Sequence, residues 1–142
     1  MAEVVLDASV AFKWFAADEP DTEAARRLLD AFGAGEVDLL APDVWLYEVA
    51  NAALVAVRRG RLTPDEAWEL VRALMEVGVD LRDVSALCES AWSLAMAHER
   101  SIYDAAYLAL ARERGCDFYT ADKRMVQSLG AMQPVKWVGD FE

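Results

Sequence analysis

The stretch Val4-Val5-Leu6-Asp7-Ala8-Ser9-Val10 constrains the fold more than any other part of the chain. A short apolar run of this kind reads as a buried strand. It stops at a carboxylate, and a helical pattern follows at once. The same order returns at Phe118-Tyr119-Thr120-Ala121-Asp122, again with a helical pattern behind it. Strands that pass directly into helices imply an α/β fold with a mostly parallel sheet, in which ligands bind outside the carboxyl ends of the strands. Asp7 is expected at that edge, and Asp122 mirrors it.

Between these stretches, short apolar runs alternate with helical periodicities. A strand at about Glu3–Leu6 is followed by a short helix over Ser9–Phe15, and Asp18-Glu19-Pro20-Asp21 then interrupts the chain. Ala25, Leu28, Leu29 and Phe32 recur at helical spacing before Gly33 and Gly35. Val37–Leu40 reads as a strand, and Pro42 and Asp43 as the first turn of a long helix reaching about Arg59. Thr63-Pro64-Asp65-Glu66 has the form of a capping box with proline at the first helical position. A strand at Val79–Val84 and a helix carrying Leu87, Ala91, Leu94, Ala95 and His98 on one stripe come next. Ser101 caps a helix from Ile102 to about Arg114, stopped by Gly115. Asp117–Thr120 is a strand, Asp122 starts a helix ending near Gly130, and Val135–Val138 is a last strand before a tail. The expected architecture is a single domain over residues 1–142, with a central mostly parallel sheet flanked by helices in α/β/α layers.

Composition narrows the functional classes. A chain of 142 residues, 56% of them hydrophobic, can fill one core, and no apolar run approaches the ~18 residues of a membrane span. No basic, apolar leader opens the sequence, so no secretory signal is expected. Cys88 and Cys116 form no CxxC pair, which fits reduced thiols and a cytoplasmic protein. The net charge of −11, with Lys13, Lys123 and Lys136 the only lysines, argues against a broad nucleic-acid binder. Divalent cations bound to a local acidic cluster would offset that charge.

Four carboxylates stand where a charge needs explaining. Glu48 has Val44, Trp45, Asn51, Ala52 and Val55 as helical neighbours, on a helix apolar nearly all round; such a helix is buried or part of an interface. A bare charge there requires an ion-pair partner, a metal or a snorkelling route to solvent. Asp104 follows Ser101 at the spacing of a helix start, yet Leu108 and Ala111 continue its face inward. Asp7 and Asp122 are each explained equally by N-capping. Ser9 and Thr120 flank these two aspartates and could bind them, bind a metal's water, or serve as ordinary turn hydroxyls. Taken together, two strand ends and two helices each supply one inward-looking carboxylate. Four such groups cannot gather charged without a cation. Oxygen donors with no His or Cys nearby suit Mg²⁺ or Mn²⁺, whose activated water can attack a phosphodiester in line.

The ordered pieces Val5-Leu6-Asp7-Ala8-Ser9-Val10-Ala11, Tyr47-Glu48-Val49-Ala50-Asn51-Ala52, Tyr103-Asp104-Ala105-Ala106-Tyr107-Leu108-Ala109-Leu110-Ala111 and Thr120-Ala121-Asp122 resemble the PIN-domain family. The likeness is to the toxin ribonucleases of VapBC toxin–antitoxin pairs. It spans nearly the whole chain, with no departure at the four acidic positions. The resemblance implies a Mg²⁺-dependent endoribonuclease of structured RNA such as tRNA or rRNA, a homodimer, and a cognate antitoxin that blocks the active site. By the same resemblance Asp7, Glu48, Asp104 and Asp122 form the acidic pocket. Asp7 and Asp104 would contact the metal, Glu48 and Asp122 would do so directly or through water, and Ser9, Asn51 and Thr120 would support them.

Other residues admit a functional and a plain reading. Lys13, Arg58, Arg59 and Arg61 could contact RNA phosphates or be solvated helix-end cations. Trp14, Phe15 and Trp45 could stack on bases, although core or dimer packing explains them. His98, the only histidine, suits a packed position better than a general base, and Asp18-Glu19 suits a solvated loop as well as a site border. A haloacid-dehalogenase-like phosphatase would need a second aspartate where Ser9 stands, and a receiver domain would need paired acids at the first strand end. A structure-specific DNA nuclease would need a basic clamp. The competing reading is a non-catalytic PIN-like module that binds RNA or protein.

Overall fold

A parallel sheet runs through the molecule in the order β3-β2-β1-β4-β5. The structure is a computed structural model, and it describes residues 2–16, 18–130 and 133–142. The strands are β1 (Ala2–Leu6), β2 (Val37–Pro42), β3 (Asp80–Arg82), β4 (Asp117–Thr120) and β5 (Val135–Trp137). The helices are α1 (Ala8–Phe15), α2 (Thr22–Gly33), α3 (Trp45–Arg58), α4 (Pro64–Glu76), α5 (Cys88–His98), α6 (Ile102–Arg114) and α7 (Lys123–Leu129). Every ladder is parallel, with Val5 opposite Leu40 on one side of β1 and Phe118 on the other. The expected α/β/α architecture is therefore the observed one.

β1 is buried on both sides, so it reads as a continuous apolar run rather than an alternating one. Val5 and Leu6 are inaccessible to solvent, as are Val10 of α1, Val49 of α3, Leu108 of α6 and Phe118 of β4. Truncating a side chain such as Leu108 to alanine in this setting costs about 2–5 kcal/mol. α6 packs across β1, β2 and β4. It starts at the Ser101 hydroxyl, which accepts from the Asp104 N–H at 3.1 Å, and ends at Gly115 with φ 63°. The Thr63–Glu66 capping box forms as expected, with both reciprocal bonds present.

Three boundaries differ from the sequence expectation. Pro42 ends β2 instead of opening α3, which begins at Trp45. Pairing with β1 stops at Leu40, so the N–H that proline lacks is not needed there, and the Asp43 N–H closes onto the Arg82 carbonyl at 2.9 Å. The strand expected over Val79–Val84 shortens to β3, an edge strand paired only with β2. The last strand stops at Trp137 because Val138–Asp140 forms a 3₁₀ turn against α2. Residues read as a tail are thus docked, and the Arg27 guanidinium donates to the Phe141 carbonyl at 3.1 Å.

α3 is only partly the buried helix its composition suggested. Trp45, Val49, Ala53 and Ala56 are buried, whereas Tyr47 and Leu54 are exposed. Trp68 and Met75 of α4 and Trp92 and Met96 of α5 are exposed as well. Among the described residues, no helix is long and apolar enough to cross a membrane.

Candidate active site

The chain builds the sheet outward from β1 to β3, then returns to β4 beside β1 and continues to β5. The strand order reverses between β1 and β4, and open α/β sheets form their binding crevice outside the strand ends at such a point. Asp7 follows the end of β1 and Asp122 follows the end of β4. A cavity of about 580 Å³ opens there. Its lining includes Asp7, Glu48, Asp104 and Asp122, together with Ser9 and Asn51.

Two hydroxyls stitch the paired strand ends together. Asp7 caps α1 through Oδ1, which accepts from the Ser9 N–H at 3.1 Å and from the Ser9 hydroxyl. Its Oδ2 accepts from the Thr120 hydroxyl at 2.6 Å. Thr120 Oγ1 in turn accepts from the Asp122 N–H at 3.2 Å, and Ser9 Oγ accepts from the Ala121 N–H at 3.0 Å. Asp122 caps α7, accepting from the Arg124 and Met125 N–H groups at 2.9 and 3.2 Å. The N-cap role and the cavity position thus coexist in both aspartates. Asn51 lies one helical turn beyond Glu48 and is exposed at the cavity rim.

Each helical carboxylate has a partner, one remote in sequence and one at i, i+4 spacing. Glu48 Oε2 accepts from the Tyr107 hydroxyl at 2.8 Å, joining α3 to α6. Tyr107 is buried and stacks on Phe118, with ring centroids 5.5 Å apart. Asp104 Oδ2 accepts from the Arg100 guanidinium at 2.9 and 3.2 Å, and the same group lies 3.7 Å from Asp122 Oδ2. Arg100 precedes the α6 cap by one residue and Asp104 by four, the spacing of a helical ion pair. It supplies positive charge between two of the acids.

The electrostatics reflect this crowding. Asp7 is only 8% exposed, and burial pushes its pKa from 3.8 up to about 6, against the Ser9 and Thr120 hydrogen bonds that hold it down. The Asp104 charge adds to the rise. Burial also raises Glu48, with the Tyr107 hydrogen bond opposing and the Asp7 and Asp104 charges reinforcing the shift. Glu48 Oε1 and Asp104 Oδ1 accept no hydrogen bond among the described residues. The side-chain donors available to a cation are oxygens, a set that suits a hard divalent ion retaining several of its waters. Among the described residues, no three acidic, histidine or cysteine side chains stand close enough to hold a metal together as they are placed.

Several other candidates lie elsewhere. Arg61 is bound to Asp18 at 2.8 and 2.9 Å and to Glu19 at 3.1 Å, which explains that acidic pair as a tie between two loops. Trp14 is buried and donates to the Ala25 carbonyl at 2.8 Å, and Trp45 is buried in the core. His98 lines a separate groove between α5 and α6, 3.3 Å from the Gln133 amide nitrogen. Lys13, expected at a solvated helix end if it took no part in binding, is buried instead.

A family model described as the PIN domain matches residues 4–128. Ribonuclease VapC3 of Pyrobaculum aerophilum is 31% identical over 132 residues, which cover 92% of this chain and 97% of that protein. Among solved structures, PAE2754 from Pyrobaculum aerophilum superposes with a TM-score of 0.67 at 20% identity, covering 89% of this chain and 86% of the other. VapC20 of Mycobacterium tuberculosis, described as a sarcin–ricin loop cleaving toxin, superposes with a TM-score of 0.60 at 20% identity, covering 83% and 87%. These two structural likenesses concern the fold.

Proposed function

The chain belongs to the PIN-domain family, and on that premise we propose that it is a Mg²⁺-dependent endoribonuclease, the toxin of a type II toxin–antitoxin pair. The observation that carries this reading is one cavity at the β1/β4 reversal lined by carboxylates from four separate segments, Asp7, Glu48, Asp104 and Asp122. The 31% identity to a ribonuclease over nearly the full length supports the nuclease activity.

When bound, Mg²⁺ or Mn²⁺ would stabilise charge building on the scissile phosphate and make a water nucleophilic near neutral pH. Asp7 and Asp104 are the principal ligands in this reading, with Glu48 and Asp122 engaged directly or through water. Ser9 and Thr120 fix the Asp7 carboxyl by bonding both of its oxygens. Tyr107 holds one oxygen of Glu48 and leaves the other without a partner. A carboxylate whose proton affinity is raised by burial, as at Glu48, is suited to take up the proton that an attacking water releases. Arg100 offsets the Asp104 charge through Oδ2 and leaves Oδ1 without a hydrogen bond among the described residues.

The substrate in this reading is structured RNA of the tRNA or rRNA class, met in the cytoplasm, and the partners are an antitoxin and a second copy of the chain. The exposed Tyr47, Trp68 and Met75 and the exposed Trp92 and Met96 offer apolar surface for such contacts. Incubating the purified chain with total tRNA and rRNA in Mg²⁺, and in parallel with a chelator, tests the proposal. Discrete cleavage products only with the metal are expected; intact RNA in both Mg²⁺ and Mn²⁺ would overturn it. The non-catalytic reading draws on the carboxylates not being gathered into one coordination sphere. Titration calorimetry with Mg²⁺ and Mn²⁺ separates the two, since that reading requires no binding of either ion.

A further inference from the structure

Lys13 is the one buried cationic side chain among the described residues, only 7% exposed. Its ammonium donates to the Pro20 carbonyl and makes no ion pair among those residues. An ammonium carries three donors, and a buried charge without a counter-ion is costly. Lys13 lines a cavity of about 550 Å³ together with Asp21, Asp122, Lys123, Arg124 and Trp137. Lys123 sits 3.9 Å above the Trp137 ring centroid, held by an aromatic face rather than by a carboxylate. Arg124 is exposed and likewise forms no ion pair among the described residues. In contrast, Arg61, Arg72, Arg82, Arg100 and Arg114 are each tied to an acid. In a chain of net charge −11, three cations without an ion pair among the described residues thus line one cavity beside Asp21 and Asp122.

The position of that cavity identifies its ligand. Asp122 lines both it and the four-carboxylate cavity, so the cationic and acidic sites share a wall. We propose that the Lys13–Lys123–Arg124 cavity is a phosphate subsite, seating a phosphodiester of the RNA strand adjacent to the one brought to the carboxylates. This rests on the ribonuclease reading above. Lys13 supplies a fixed charge at the base, while Lys123 and Arg124 grip the backbone from the rim whatever the base. The subsite explains how an acidic protein engages RNA at all, since phosphate neutralisation needs Lys and Arg.

Binding of a labelled structured RNA, measured against salt concentration in a chelator with Asp7→Asn as parent, tests the subsite without cleavage. Paired Lys123→Gln and Arg124→Gln substitutions are expected to weaken binding several-fold at low salt. They should also flatten the salt dependence by about 0.7–0.9 in log–log slope for each phosphate that is no longer neutralised. Lys13→Met, checked for folding by circular dichroism, should act in the same direction. Arg26→Gln, which removes an exposed cation of α2, should leave the slope unchanged. A parent that binds RNA with a slope unmoved by the Lys123 and Arg124 substitutions, or moved equally by Arg26→Gln, overturns the subsite and leaves the ribonuclease reading standing. A parent that does not bind RNA at all likewise overturns the subsite, and the cleavage assay in Mg²⁺ decides the ribonuclease reading separately.

Discussion

The Tyr107 hydroxyl donates to Glu48 Oε2 at 2.8 Å across 59 residues of sequence, tying the middle of α6 to the first turn of α3. The carboxyl is half-buried, so this bond does more than a surface contact would. Tyr107→Phe keeps the ring stacked on Phe118 and removes only the donor. The expected loss is about 1–2 kcal/mol in urea unfolding at neutral pH. Combining it with Glu48→Ala, which removes the acceptor, should cost clearly less than the sum of the two single changes, because both remove the same interaction. Full additivity would show that the bond carries no coupling.

The raised pKa of Asp7 sets a pH signature. A carboxyl held at about 6 in the folded chain and 3.8 in the unfolded chain binds more protons when folded. Its stabilising contribution is therefore present when protonated, at low pH, and is lost as pH rises through 6. The difference corresponds to about 3 kcal/mol. Asparagine at this position keeps the cap and does not titrate. In chelator, Asp7→Asn should melt several degrees above the parent at pH 7.5, with the gap closing toward pH 4 in thermal scans. A gap that is constant, or that widens on acidification, would contradict the desolvated placement of Asp7.

In the proposed reading, Arg100 and a bound cation would compete for Asp104. Its guanidinium bonds that carboxylate at 2.9 Å and lies 3.7 Å from Asp122. Both groups are partly exposed, which limits the energy of the pair to about 1 kcal/mol. Arg100→Gln should tighten Mg²⁺ or Mn²⁺ binding by about two- to fivefold in titration calorimetry. Weaker binding would mean that Arg100 organises the acids for the metal rather than shielding them.

The parts of this molecule that follow from local chemistry were legible in the sequence. The two strand–aspartate–helix units, the Ser101 and Thr63 caps and the Gly115 stop each depend on a few adjacent residues. The convergence of Asp7 and Asp122 was readable because both follow parallel strands, whose carboxyl ends share one edge. Pro42 misled because proline serves both a first helical turn and a strand end past the last β1–β2 pair, where it still pairs with Arg82 of β3, and only the strand register decides between them. The Tyr107–Glu48 bond and the burial of Lys13 were not legible for a related reason. They depend on which residues of distant elements face them, and neither periodicity nor capping patterns encode that, whereas Arg100 stands at the i, i+4 spacing of a helical ion pair with Asp104. Arg61 shows the converse: its adjacency to Asp18 and Glu19 withdrew it from the pool of RNA-binding candidates.

In the function proposed for this chain, the four carboxylates act together with a divalent cation on RNA. The most direct measurement is the rate of RNA cleavage in Mg²⁺ by the natural chain and by Asp7→Asn, both verified as folded. The natural chain is predicted to cleave and the Asn variant to fall at least about a hundredfold below it, on the scale of losing a metal-centred electrostatic interaction. Equal cleavage by the two proteins would contradict the assignment of this cavity as the active site.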